Sequence, residues 1–320
     1  MEKELSGKRE AQWIYVLWYI HLYILGSYGI YKLADAAWTT FFFAVFIILM
    51  GALGITVGAH RHWAHQSFEA HWFIKVCFMI SHTLVGVGPI YDWVLAHRIH
   101  HKFYGTDKDP YNHNKGFLYS HLVTNLMSNP DDYEQTAKQI DMRDIESDGI
   151  VWFQRKFYWP LFLIVGLLLP INAPAEYWGE SIINSVFILG FLRLTVLMNI
   201  SFLVNSAMHI WGLNLTDKFP PDDNLVFLIN RSFWLNYHYL LPWDWKTDEF
   251  GGYDTGVSGF TIKCLNELGL INNLKTTSSQ LIREALYKSA TSKKTTCDVL
   301  DDLKKAVEYE TARINLHYHH

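Results

Sequence analysis

The sequence predicts an all-α integral membrane protein with four transmembrane helices and a histidine-rich cap. Half of the 320 residues are apolar and 16% are aromatic. The apolar residues are concentrated in long blocks, as in membrane proteins that have polar parts on one side. Two histidine-rich stretches, His60–His65 and His97–His101, lie just outside such blocks. A helical bundle with a candidate metal site at its edge is therefore expected.

Four apolar stretches are predicted to span the membrane. The first two cover about 13–31 and 39–59, and the last two cover about 157–170 and 182–204. A further apolar stretch, 72–93, is predicted to lie at the interface or to be partly buried. If it crossed, the two histidine-rich stretches would lie on opposite faces of the bilayer and would be unable to share a metal site.

The polar segments are predicted to form a cytosolic helical cap, residues 60–156 and 205–290, followed by a charged tail, 291–320. In the second part of the cap, one apolar-rich helix is expected to stop at Gly269. Hydroxyl side chains at 276–279 are suited to capping another helix. Because charge dominates the tail, a solvated helix or a loose tail is expected there.

Basic residues predict the orientation of the chain. The connection 171–180 contains no Lys or Arg, and the connection between the first two spans contains none after Lys32. The basic residues near the opposite ends of the spans are Lys3, Lys8, Arg9, Arg98, Lys102, Arg155 and Lys156. The positive-inside rule therefore predicts that both termini and both histidine-rich stretches are cytosolic.

One basic residue lies within a predicted span. Arg193 is in the fourth span, where a charge is costly and is expected to face the bundle interior or a cavity. Its sequence position leaves two roles open, a structural partner of a carboxylate or of carbonyls and a catalytic residue.

Charge and cysteine usage narrow the class of protein. The net charge of −4 provides no signature of nucleic-acid binding. The three cysteines, Cys77, Cys264 and Cys297, are scattered and odd in number. No disulfide framework is therefore predicted, and the polar part is expected to face a reducing compartment.

The spacing of the histidines indicates metal binding. His97, His100 and His101 stand at i, i+3 and i+4, so a helix places all three on one face. His60 and His65 are five residues apart, a spacing that suits a helix end better than a continuous helix. Neutral imidazole is a common ligand for iron, zinc and copper, and five such ligands exceed what one ion takes from two segments. Chance enrichment at a membrane surface explains this spacing poorly.

These motifs resemble the membrane-bound acyl-CoA desaturases of the stearoyl-CoA desaturase type, over about residues 10–290. His60–His65 looks like the HRxxxH box of that family, and His97–His101 looks like its HRxHH box. The other segments that match the family are 106–110, 116–121, 153–155, 203–209, 236–238 and 241–245.

The resemblance implies a single fatty-acid desaturase domain over residues 1–320, with two irons in the cap and an acyl tunnel in the bundle. The implied metal-site residues are His60, His65, His97, His100, His101, Asn205 (through water), His209 and His238, with Tyr239 at a histidine position. The implied contacts to fatty acyl-CoA are Trp93, Arg98, Lys102, Lys115, Ser201 and Phe202. The implied reaction is O2-dependent insertion of a cis double bond during unsaturated fatty acid biosynthesis. Cytochrome b5 and its reductase supply electrons in the endoplasmic reticulum membrane, with no role for nucleic acid.

The third histidine box departs from the family pattern. The family has HNYHH, whereas this chain has Leu, Asn, Tyr, His and Tyr at 235–239. Leucine does not bind metal, although a phenolate from Tyr239 is able to bind ferric iron. The head-group positions also differ, because Leu95 and Ala96 replace an Arg-Asp pair, and only Lys115 remains of a basic pair.

Three functional hypotheses follow from the resemblance. In the first, seven imidazoles and Tyr239 or water hold two irons, and the protein is an oxidoreductase with an altered acyl substrate. In the second, it is a catalytically impaired homologue that acts as a lipid-binding or regulatory partner. A third, a lipid hydroxylase, fits the motifs at 205–209 and 242–245 less well. The intact first two boxes, with Asn205 and His209, favour the enzyme.

Overall fold

The computed structural model of the protein describes residues 9–206, 238–239, 241–249, 253, 255–291 and 296–318. The chain divides into two compact units. The bundle unit comprises Met1–Ala59 and Lys75–Ser206, and the C-terminal unit comprises His60–Ile74 and Ala207–His320.

Within the described residues, four helices are long and apolar enough to cross a membrane: Trp13–Lys32, Trp38–Ala64, Tyr158–Trp178 and Ile182–Ser206. A helix rises 1.5 Å per residue, so each of them reaches roughly 30 Å, the thickness of the hydrocarbon core. The predicted all-α membrane fold with four transmembrane helices is confirmed, and the protein is a multi-pass membrane protein.

The elements of the described residues are as follows. The helices up to the third span are α1 Trp13–Lys32, α2 Trp38–Leu53, α3 Trp72–Thr83, α4 Ile90–Phe103, α5 Phe117–His121, α6 Tyr133–Ala137, α7 Arg143–Glu146 and α8 Gly149–Lys156. The later helices are α9 Tyr158–Leu161, α10 Leu169–Trp178, α11 Ile182–Ser185, α12 Arg193–Ser206, α13 Val257–Glu267, α14 Ser279–Thr291 and α15 Thr296–Tyr318. Three segments are π-helical: Gly54–Ala64, Phe162–Leu168 and Val186–Leu192. Two short 3₁₀ turns are His113–Lys115 and Val123–Leu126, and the strands β1 Glu69–Ala70 and β2 Ile271–Asn272 pair antiparallel.

The connections within the two transmembrane hairpins lie together at one end of the bundle. A carboxylate oxygen of Glu180 accepts hydrogen bonds from the Ala37 amide at 2.8 Å and from the Thr40 hydroxyl at 2.6 Å. The indole of Trp178 also donates to the Thr40 hydroxyl, at 2.8 Å. The two turns that were predicted to share one side of the membrane are therefore neighbours.

The opposite end of the bundle joins the start of the first span to the end of the fourth. Arg9 donates to the carbonyls of Pro110 at 3.1 Å and Thr124 at 3.0 Å. His121, which lies between Pro110 and Thr124 in the chain, is hydrogen bonded to Ser206 at 2.9 Å. Residues 110–124 therefore pack at the end of the bundle where the first span begins and the fourth span ends.

The apolar stretch 72–93 folds as two pieces. Helix α3 has 12 residues and rises only about 18 Å, which is too short to span a bilayer. Gly86 and Gly88 have φ of +79° and +95°, in the left-handed region that favours glycine, and separate α3 from α4. Neither helix is therefore long enough to cross.

The third span extends beyond its predicted end near residue 170, to Trp178. Pro170 has no N–H, so it cannot donate the α-helical hydrogen bond that would end on the carbonyl of Gly166. That carbonyl instead accepts a hydrogen bond from the guanidinium of Arg193. The helix continues because a distant side chain satisfies the backbone group that proline leaves exposed.

Arg193 is fully buried and donates to backbone carbonyls of three separate stretches of the chain. Its Nε atom donates to Leu189 at 2.8 Å, and its terminal nitrogens donate to Leu84 and Gly166. The sequence left a structural and a catalytic role open for Arg193. The structure shows the structural role, in which Arg193 is the partner of backbone carbonyls.

Replacing Arg193 with methionine is expected to lower the free energy of unfolding by on the order of 3 kcal/mol, because at least two buried carbonyls lose their donor. Thermal unfolding in detergent measures the effect. Arg143→Met is the control, since Arg143 is exposed and pairs with the exposed Asp141. Equal losses in both variants would contradict the structural role of Arg193.

In the C-terminal unit, α14 and α15 pack on the segment that follows residue 239. Their core consists of Leu241, Trp243, Leu281, Ile282, Ala285, Val299, Leu300, Leu303 and Val307. Helix α14 starts at the predicted hydroxyl side chains, because the Ser278 hydroxyl accepts a hydrogen bond from the Leu281 amide at 3.2 Å. The charged tail, for which a solvated helix or loose tail was expected, is a helix with one buried apolar face, which a count of charges does not reveal.

Candidate metal centre

The first histidine box lies on a π-helical end of the second span, Gly54–Ala64. In a π-helix each amide bonds to the carbonyl five residues earlier, and His65 continues this pattern by donating to His60 at 3.1 Å. The two imidazoles therefore stand one turn apart, with ring centroids 4.7 Å from each other. The five-residue spacing was interpreted as a helix end, whereas a wider helix brings these rings together.

His238, the histidine that remains in the third box, joins this pair in the C-terminal unit. Its Nε2 atom lies 3.1 Å from Nε2 of His60, and its ring centroid lies 4.8 Å from that of His65. The ligand nitrogens of these three residues lie within 4.8 Å of one another. Metal–nitrogen bonds of about 2.1 Å place neighbouring ligand atoms roughly 3 Å apart, so the three rings suit one ion.

Glu249 sets the orientation of the His60 ring. Its Oε1 atom lies 2.5 Å from Nδ1 of His60, and its Oε2 atom accepts from the Ser258 hydroxyl at 3.0 Å. Because Nδ1 faces the carboxylate, Nε2 is the nitrogen that points toward His238. A carboxylate behind a ligating histidine fixes the ring and raises its basicity as a ligand.

A buried arginine holds this carboxylate in its charged form. Arg61 is fully buried and donates from Nε and from a terminal nitrogen to Glu249, each at 3.1 Å. Its other terminal nitrogen donates to the Thr247 hydroxyl at 2.8 Å and the Trp245 carbonyl at 3.2 Å. Burial raises the pKa of Glu249, but the charge of Arg61 and the bond to His60 outweigh burial and lower it to about 2.

Glu249 was not predicted as a site residue. Its only signal in the sequence is that an acidic residue follows the third box. Nothing in the spacing of the sequence connects residue 249 to residue 60. Folding makes that connection, which the sequence alone does not show.

The second histidine box lies on α4 in the bundle unit. The ring centroids of His97 and His101 are 4.6 Å apart, and their ligand nitrogens lie within 4.8 Å. Nδ1 of His97 lies 2.8 Å from the Asn205 side-chain oxygen. Nδ1 of His100 lies 2.9 Å from both oxygens of the buried Asp109. The Nδ1 atom of each of these two rings is therefore held by an oxygen atom, an arrangement that fixes the ring orientation of histidine ligands.

The other predicted metal-site residues are only partly described. His209 and Leu235 lie outside the described residues. Tyr239 is buried, and its ring centroid is 6.0 Å from that of His238. Its role as a substitute ligand stays a prediction.

Three of the predicted substrate residues are neighbours in the bundle unit. The indole of Trp93 donates to the Ser201 hydroxyl at 3.0 Å and stacks on His97, with ring centroids 5.1 Å apart. Phe202 packs against Tyr19 with ring centroids 5.8 Å apart. These side chains connect the second histidine box to the apolar interior of the bundle.

The predicted basic contacts are used within the bundle unit itself. Arg98 makes a bidentate ion pair with Asp144, at 2.8 and 2.6 Å, and Lys102 donates to the Gln139 carbonyl at 2.7 Å. Lys115 lies over the ring of Tyr119, 4.8 Å from its centroid. Arg98 and Lys102 thus hold the segment around α7 in place, and a contact with acyl-CoA stays a prediction for all three.

Sequence comparison identifies the family. The chain is 37% identical over 286 residues to an acyl-CoA Delta-9 desaturase of Acheta domesticus, covering 88% of this chain and 80% of the relative. It is 34% identical over 280 residues to the stearoyl-CoA desaturase of Homo sapiens, covering 87% and 78%. The chain belongs to the acyl-CoA desaturase family. No family model matches the sequence, so membership rests on full-length relatives such as these. The resemblance seen in the histidine boxes is confirmed.

Further desaturases of different regiospecificity are similar to the chain. An acyl-CoA Delta-12 desaturase of Tribolium castaneum is 34% identical over 282 residues, covering 87% of this chain and 79% of the relative. Desaturases are oxidoreductases, and this membership does not favour the impaired-homologue hypothesis. Buried imidazoles that are held by oxygen atoms, as His60, His97 and His100 are, belong to a donor set that fits transition metals.

Proposed function

We propose that the protein is an acyl-CoA desaturase that uses O2 to insert a cis double bond into a fatty acyl chain. The observation that carries the proposal is the buried triad of His60, Glu249 and Arg61. A buried ion pair contributes little net stability, and hydrophobic residues often replace one without loss. The carboxylate of Glu249 and the guanidinium of Arg61 are nevertheless buried together directly behind His60, which supports a working metal site over an impaired one.

We further propose that both boxes serve one centre of two irons. The ligands in this proposal are His60, His65, His97, His100, His101, His209, His238 and Tyr239, with Asn205 at the edge. Family membership supports the shared centre, and the imidazole-rich donor set supports iron, a metal for which nitrogen ligands are common.

The irons supply the activation of O2 and the removal of two hydrogen atoms from adjacent methylenes. Two electrons from cytochrome b5 and its reductase, with two protons, complete the reduction of O2 to two waters. The chain itself orients the ligands through Glu249, Asn205 and Asp109. Trp93 and Phe202 offer apolar surface that excludes water and holds the acyl chain against the second box.

Expression in a desaturase-deficient host tests the function. Wild type is expected to produce new double bonds in the host fatty acids and to contain about two irons per chain, as metal analysis measures. A His60→Ala variant provides the background. Product that carries an added oxygen would indicate a hydroxylase. A stable, iron-loaded protein without product would favour the regulatory homologue.

We also propose that the protein resides in the endoplasmic reticulum membrane with both termini in the cytosol. The basic residues at the start of the first span support this orientation. The contacts of Glu180 with Ala37 and Thr40, which join the two hairpin turns, also support it.

Glycosylation tests this orientation. A flexible insert with one acceptor site is expected to be modified when it follows Gly179, and to stay unmodified when it follows the exposed Asp131. The natural acceptor patterns outside the four spans, at Asn214 and Asn230, are expected to stay unmodified. Mobility before and after deglycosylation is the measurement. A modified insert at Asp131 would reverse the proposed orientation.

A further inference from the structure

The last helix of the described residues, α15, lies in the charged tail that follows the predicted cap. It spans Thr296–Tyr318. Four of its apolar side chains are nearly fully buried: Val299, Leu300, Leu303 and Val307. A solvated extension would not bury such a face, so this helix belongs to the core of the C-terminal unit.

One contact of α15 is with the residues that directly follow the third histidine box. Its buried face shares a core with Leu241 and Trp243, which follow His238 by three and five residues. The Lys304 ammonium also lies over the Trp243 ring, 5.9 Å from its centroid. The position of α15 therefore restricts the backbone on which His238 is carried.

A second contact reaches the segments that hold His65 and Glu249. Glu308 of α15 pairs with the half-buried Lys275, at 3.8 Å. The Lys275 amide donates to the carbonyl of Ser67 at 2.8 Å, and its carbonyl accepts from the amide of Trp245 at 3.0 Å. Lys275 thus joins the stretch after the first box to the stretch before Glu249.

We propose that α15 is a positioning element for the histidines of the C-terminal unit. It holds residues 241–249 and residues 67–70 in fixed positions, so that His238 lies against His60 and Glu249 lies on the other side of the His60 ring. The need for such a support is greater here because Leu235 stands at a histidine position of the family and does not bind metal, so metal binding contributes fewer bonds that order this segment. The inference rests on the proposed function only in assuming that these histidines bind metal.

The test uses the full-length protein with Leu303→Ala and Val307→Ala together. Hydrogen exchange of metal-stripped protein over residues 241–249 is expected to speed up about tenfold or more as local opening becomes easier. Iron content per chain is expected to fall. Leu303→Met keeps the volume of the side chain and is expected to retain both properties.

Two controls separate positioning from general stability. Leu189→Ala removes a fully buried side chain of the bundle unit and is expected to lower thermal stability without speeding exchange at 241–249. Lys305→Ala, on the exposed face of α15, is expected to change neither property.

Unchanged exchange at 241–249 in the α15 double variant would overturn the proposal, as would equal iron loss in Leu189→Ala. If wild type itself holds no iron, the proposed function fails. The exchange result still decides whether α15 orders the third-box segment.

Discussion

Replacing Glu249 with glutamine is expected to weaken metal binding by the histidines of the C-terminal unit by about 10–100-fold. Glutamine keeps the size of the side chain but removes the negative charge behind His60. It also leaves the buried Arg61 guanidinium without a counter-charge, which costs about 3–5 kcal/mol of folding free energy. Titration of metal-stripped protein measures the affinity, and thermal unfolding measures the stability.

The lowered pKa of Glu249 also predicts how the stability of the fold depends on pH. In the folded protein the pKa of Glu249 is lowered from 4.5 to about 2, so its charged form stabilises the fold above pH 4.5. This contribution is expected to disappear as the pH falls from about 4.5 toward 2, and to be absent from Glu249→Gln at every pH. Glu267→Gln, at an exposed position of α13, is the control. Unchanged metal affinity in Glu249→Gln would remove the argument for a working site.

The third histidine box provides the second large effect. If Tyr239 is a substitute ligand, Tyr239→Phe removes the phenolate while keeping the buried ring. Iron content is then expected to fall from about two toward one per chain, with a matching loss of turnover, because one group that binds the metal directly is missing. Tyr239→His is expected to maintain or raise iron content, since imidazole occupies this position in the family. Metal analysis and fatty acid profiles of the same preparations provide the measurement.

Restoring both family residues, with Leu235→His and Tyr239→His, extends this test. We expect iron content at or near two per chain. Turnover with acyl-CoA is expected to rise less, because Leu95 and Ala96 still lack the charges that the family has near the head group. Tyr287→Phe, on the exposed face of α14, is a matched control for the loss of a phenol. Full iron content and activity in Tyr239→Phe would show that another residue completes the coordination.

The membrane architecture and the family were predictable from the sequence. Long apolar runs report spans directly, because the hydrocarbon core requires about twenty apolar residues in a helix. The i, i+3, i+4 spacing of the second box reported its shared face, and the box motifs led to the family. These signals are local, since each is contained in one stretch of chain.

Features that depend on contacts between distant stretches were not predictable. The expected end of the third span at Pro170 was too early, because Arg193, 23 residues further on, supplies the missing hydrogen bond to Gly166. The charge-rich end of the chain concealed the apolar face of α15, which becomes meaningful only against Leu241 and Trp243.

Hydrophobicity and ligand type are properties of the residues, so the four membrane-crossing helices and the imidazoles beside them follow from the sequence. The orientation of each imidazole follows instead from contacts that form on folding. The π-helical turn places His65 one turn after His60. Glu249, held by Arg61, binds Nδ1 of His60, so Nε2 is the nitrogen that faces His238. Orientation depends on hydrogen bonds between residues nearly two hundred positions apart, and the distance along the chain does not encode it.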